Sequence, residues 1–131
     1  MKAGMKIGDK AFLEITVTPE MFAQFEGTVV HPVYSTVSMV YHMEWVSRKI
    51  ILPFLEEDEE GMGSAVSVKH IAPSGEGILL KLEATVVEVK NHIVYTKVEV
   101  KNTDGLIGVG EVKQVILPKN KISELISSTT A

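Results

Sequence analysis

Apolar and polar residues alternate over residues 11–17, with Ala11, Leu13, Ile15 and Val17 on one side, the period of a half-buried strand. Pro19 and Glu20 open a short helical or irregular stretch that carries Phe22 and Phe25, and residues 27–32 break the pattern. The period then changes. From Ser35 or Thr36, either of which can cap a helix, Val37, Val40, Met43, Glu44 and Ile51 recur at helical spacing, with Met39, Val46 and Ile50 beside them. So broad a band predicts a helix buried over most of its surface, stopped by Pro53.

Residues 56–60 are an unbroken acidic run, which reads as a solvated loop. Gly61 and Gly63 lead into a strand in which Val66, Val68, His70 and Ala72 share one face, with Ser67 and Lys69 on the other. After a turn at Pro73-Ser74-Gly75, residues 78–89 form the next strand, ending in a tight turn near Lys90-Asn91. Residues 92–102 set Val94, Val98 and Val100 against Tyr95, Lys97, Glu99 and Lys101, and Asp104-Gly105 is a hairpin signal. Residues 106–117 form the last strand, where Gly108 and Gly110 permit a bulge or a close helix approach. A short amphipathic helix over 119–127 follows Pro118.

Tight turns force antiparallel neighbours, and a helix apolar over most of its surface needs a sheet curved around it. The expectation is an α+β hot-dog fold, a curved antiparallel β-sheet wrapped around one long central helix, in a single domain over 1–131. Such a sheet has open edges, which a homodimer would cover.

A 131-residue chain holds one ordinary core, and 45% hydrophobic with 23% charged residues is a globular balance. A net charge of −4 without a basic tract argues against nucleic acid, although scattered lysines such as Lys69, Lys97 and Lys113 could hold one polyanion. There is no cysteine for thiolate chemistry, and no apolar run of signal-peptide or membrane-spanning length, so a cytoplasmic protein without membrane contact is expected.

Polar groups placed where water is scarce are expensive unless paired. Glu44 lies in the helix band, between Met43 and Trp45, and His70 lies on the strand face that should pack on that helix. A carboxylate and an imidazole converging there would make an acid–base pair, although each also has a plain structural reading. Thr36, at the helix start, is either a cap or, with free backbone N–H groups, a stabiliser of an oxyanion. In an unbroken helix Thr36 and Glu44 stand about 12 Å apart along the axis, so His70 or a substrate must bridge them. His31, His42 and His92 have no metal-ligand spacing, so no metal is expected; Trp45 and the methionines read as core.

The segment 33–45 with its Met43-Glu44-Trp45 core, together with the N-terminal Met1-Lys2 and Gly4-Met5, Phe22-Ala23, Pro53-Phe54-Leu55 and residues 63–72, resembles the fluoroacetyl-CoA thioesterase-like family of hot-dog proteins. The resemblance implies acyl-CoA thioester hydrolysis by a catalytic set matching Thr36, Glu44 and His70, with coenzyme A as part of the substrate and no separate cofactor. It also implies a homodimer in which Gly63 presents backbone to substrate across the interface. An arginine associated with the family's substrate pocket falls on Lys113, which cannot reproduce a bidentate fork. Two lid phenylalanines fall on Gly27 and Val30, so fluoroacetyl specificity is not implied. The rival readings are a non-catalytic acyl-CoA-binding module and an enoyl-CoA hydratase, the latter weakened because no Asp lies between Asp9 and Asp58.

Overall fold

Tight turns between successive long strands set the order of the main sheet. In the computed structural model, which describes residues 1–130, β1 (Lys10–Thr16) forms one edge. It is followed by β5 (Leu79–Lys90), β6 (Ile93–Asn102), β7 (Gly105–Pro118) and, at the other edge, β4 (Glu59–His70). Every pairing is antiparallel. Asn91 supplies the positive φ that the β5–β6 turn needs, and Gly105 the one after β6.

The helix α1 (Thr36–Ile51) lies across this sheet. Ser35 caps it, its hydroxyl accepting the Ser38 N–H at 3.0 Å. Met39, Met43, Val46, Ile50 and Ile51 are buried in one core with Leu80, Leu82, Val98, Val100, Ile107 and Val112. Two glycines of β7 set how closely the helix approaches. A Cβ on Gly108 would overlap the Met39 sulfur, and one on Gly110 would come within 2.9 Å of the Met43 sulfur and overlap the Ser67 carbonyl oxygen. The close approach expected at these glycines is present, and the β6–β7 register shifts beside Gly108, between Val100 and Lys101; a further shift lies in β4 between Gly63 and Ala65. A short helix, α2 (Lys119–Ser127), ends the chain's regular structure. Among the described residues no helix is long and apolar enough to cross a membrane.

Three expectations need correction. The helical stretch opened by Pro19 is a single turn, Pro19–Met21, and residues 22–34 are a hairpin of β2 (Phe22–Phe25) and β3 (Thr28–Tyr34), not its continuation and a break. Its turn, Glu26-Gly27, has positive φ at both positions, 51° and 80°, the primed-turn geometry that suits a two-residue hairpin. The acidic run is only partly loop, because Glu59 and Glu60 begin β4. Glu59 binds the Met1 ammonium at 2.7 Å, and Glu60 receives two hydrogen bonds from Arg48, at 2.8 and 3.1 Å. Finally, α1 is covered by sheet on one side only. Val37, Tyr41 and Trp45 are 75%, 63% and 42% exposed, and Glu44 is exposed beside them.

Candidate active site

The start of α1 is fixed from two directions. The Tyr34 N–H donates to the Ser74 carbonyl and the Ser35 N–H to the Met21 carbonyl, each at 2.8 Å. These bonds tie the helix entry to the loop that follows β4 and to the turn before β2. Thr36 therefore stands beside His70, the last residue of β4, and its Oγ1 lies 2.9 Å from His70 Nδ1. Burial holds the His70 imidazole below its ordinary pKa, with the Ala72 backbone opposing that shift, so the ring is neutral at neutral pH. Its Nε2 is buried and has no partner among the described residues.

Glu44 stands two helical turns further on. Its carboxylate faces Gly63 of β4, where a Cβ would lie 3.6 Å from Oε2. Together with Tyr41, Trp45, Arg48, Gly61 and Gln114 these residues line an open cleft of about 450 Å³. Arg48 is occupied by Glu60, whose carboxyl is held below its usual range by hydrogen bonds from that guanidinium. Among the described ion pairs none involves Glu44, which leaves a carboxylate free to act at the cleft.

A second cleft, of about 300 Å³, lies between β2 and the start of α1 and is lined by Phe22, Phe25, Ser35, Thr36 and Val37 among others. Thr36 and Glu44 thus open into different clefts of the same chain. The structure brings together Thr36 and His70, as one half of the expected set, and Glu44 and Gly63 as the other. It does not bring Glu44 to His70, nor does it bury Glu44 against the sheet: the helical phase that turns Met39 and Met43 inward turns Glu44 outward.

Lys113 pairs with Tyr95 across β6 and carries its ammonium 5.9 Å from that ring. Its neighbours Val112 and Gln114 are buried, Gln114 bonding the Ser47 carbonyl of α1 at 3.0 Å. The pleat therefore puts Lys113 on the sheet face away from Glu44. Gly27 sits at the hairpin turn and Val30 is 54% exposed on β3. Sequence reasoning missed Tyr41, Arg48 and Gln114 as cleft residues and assigned Trp45 to the core. It also missed a buried Tyr34–His42 pair behind His70, which His42, a polar residue on the inward helix face, would have signalled.

Comparisons with known proteins agree with this architecture. A solved Thermus thermophilus protein, described as a thioesterase superfamily member, is 47% identical with a TM-score of 0.92, over 95% of this chain and 93% of its own. The fluoroacetyl-CoA thioesterase of Streptantibioticus cattleyicolor is 25% identical over 99% of this chain and 98% of its own length. A solved structure of the fluoroacetyl-CoA thioesterase, 23% identical over 98% of this chain and 100% of its own, superposes with a TM-score of 0.90, a likeness of fold. The family model described as fluoroacetyl-CoA-specific thioesterase (FlK) matches residues 17–120. A match over that much of the chain decides the question: the chain belongs to the fluoroacetyl-CoA-specific thioesterase family, with a hot-dog fold.

Proposed function

We propose that this protein hydrolyses acyl-CoA thioesters at a site that two copies of the chain complete. The observation that carries the reading is the division of the polar set into two half-sites, Thr36 with His70 and Glu44 over Gly63, on one exposed face. One relative of the same fold has been solved with acetyl-CoA, which supports this substrate class.

Thiolate is a good leaving group, so a thioester needs an attacking oxygen and a place for the carbonyl oxygen's developing charge. Thr36 Oγ1 and the free N–H groups of the first turn of α1 supply that place, and His70 orients the hydroxyl and relays the proton. Glu44 supplies the attacking side, as nucleophile or as base on water; both routes need its carboxylate. Gly63 leaves the strand backbone accessible beside it. Lys113, on the opposite face, falls to the nucleotide end of coenzyme A rather than to the thioester.

Within one chain, Thr36 and Glu44 lie about 12 Å apart along α1, whereas reacting atoms must meet at about 3–3.5 Å. A homodimer resolves this. Thr36 and Glu44 are each four residues from Val40. A second copy with its α1 antiparallel, across a twofold axis near Val40, places Glu44 of the partner subunit level with Thr36. The exposed Val37, Tyr41 and Trp45 and the open β4 edge then become interface.

Thiol release from a panel of short to long acyl-CoAs, fluoroacetyl-CoA included, tests the function. Turnover on any of them is expected. Tight acyl-CoA binding without turnover across the panel would replace the reading with a binding module, and loss of the conjugated absorbance of crotonyl-CoA would replace it with a hydratase.

A further inference from the structure

Behind His70 lies a second polar pair that the proposed chemistry does not use. Tyr34, the last residue of β3, is 1% exposed, and its hydroxyl lies 2.7 Å from Nδ1 of His42, which is 4% exposed on the inner face of α1. Burial raises the Tyr34 pKa and lowers that of His42, the Ser38 backbone partly opposing the latter. Both groups are therefore neutral, and the phenol hydroxyl and the imidazole nitrogen share one hydrogen bond. The rings lie nearly parallel, at 15°, and the other side of the histidine is closed by Tyr41 and Trp45.

The Tyr34 ring meets the His70 ring edge to face, with centroids 6.1 Å apart and planes at 71°. His70 needs such a neighbour. Thr36 is the side chain that hydrogen-bonds its Nδ1, while Nε2 has no partner among the described residues. Tilting or partial rotation of the ring about the Cβ–Cγ bond would carry Nδ1 out of reach of Thr36. The Tyr34 ring packed against it opposes that movement, and the hydroxyl bond to His42 holds the Tyr34 ring in turn.

We infer that Tyr34 and His42 are positioning residues: His42 anchors Tyr34, and Tyr34 holds the His70 imidazole with Nδ1 toward Thr36. The inference rests on the thioesterase reading for its kinetic consequence but not for its spectroscopic one. A phenylalanine at 34 with a leucine at 42 would pack the same space without leaving a polar group unpaired, so a purely structural pair could be replaced in that way without loss of activity.

The test compares wild type, Tyr34→Phe and the double variant Tyr34→Phe with His42→Leu. It reads Tm, kcat, KM and the NMR titration of the His70 ring. The expected result is a double variant that melts near wild type, with KM within about twofold and kcat about tenfold lower, as a misplaced reacting group produces. Its His70 pKa should rise toward 6.5 as the loosened ring gains water. Wild-type kcat together with an unmoved His70 titration would overturn the inference. Should the double variant not fold, Tyr34→Phe alone carries the same readouts. Should wild type turn over no thioester, the proposed function fails separately, and the His70 titration decides the inference.

Discussion

If the site is shared, two inactive variants should rescue each other. Thr36→Ala removes one half-site and Glu44→Gln the other, and each homodimer carries two broken sites. In a mixed dimer the lesions segregate: one site combines both, and the other keeps Thr36 and Glu44 intact. Random association of equal amounts yields about half mixed dimers, each with one good site of two, so the mixture should recover about a quarter of wild-type activity and the isolated mixed dimer about half. The distance behind this is the separation of about 12 Å along α1, which a glutamate side chain cannot span when its carboxylate already rests over Gly63. The assay is co-refolding or co-expression of two differently tagged variants, followed by isolation of the doubly tagged dimer and measurement of thiol release. A doubly tagged dimer no more active than its parents would show that each site lies within one chain, and full activity in a monomeric wild type would do the same.

Further predictions follow from single positions. In Gly63→Ala the new methyl meets the Glu44 carboxylate at an ordinary contact distance, 3.6 Å, so Tm should hold within about 2 °C. Its kcat/KM should fall at least about tenfold as the methyl occupies the cleft beside the attacking oxygen; retained activity would remove Gly63 from the site. Gly110→Ala drives a methyl into the Ser67 carbonyl oxygen of the neighbouring strand, a backbone clash no rotamer relieves. It should cost about 1–3 kcal/mol or more, read as a Tm loss of about 5 °C or greater. Burial holds His42 and His70 below the ordinary imidazole value of 6.5. The unfolded chain therefore binds protons that the folded one refuses, and this contribution to stability is complete above about pH 6.5 and shrinks as pH falls through it. Tm should decline between about pH 7.5 and 5.5, above the window in which the lowered Glu59 and Glu60 titrate; a flat profile there would contradict the burial of the two rings.

The strands after residue 60 were legible because β5, β6 and β7 alternate cleanly and end in turn residues. The long helix was legible from its spacing, and its caps agree with Ser35 and the approach of Pro53. What failed had physical causes. The β2–β3 hairpin hides behind bulges that spoil alternation, and Pro32 within it reads as a break although a two-stranded ribbon has no central strand to disrupt. The helix band reads too wide: Val37 and Trp45 are as apolar as core residues yet exposed, and apolarity alone cannot distinguish a face that meets the sheet from one that is bare in the single chain. Glu44 reads as inside for the same reason, and so as a neighbour of His70, whereas the helical phase turns it outward to Gly63. Residue types identified Thr36 and His70 as candidates, but only the geometry of the helix entry, fixed by Ser74 and Met21, joins them.

The proposed hydrolysis requires a free carboxylate at Glu44 to drive the attack on an acyl-CoA thioester. The most direct measurement is thiol release from the best substrate of an acyl-CoA panel by wild type and Glu44→Gln side by side, with Tm recorded for both. Because Glu44 is exposed and makes no ion pair among the described residues, the variant should melt as wild type does. Its turnover should fall to background. A variant that hydrolyses the thioester at the wild-type rate would contradict the account.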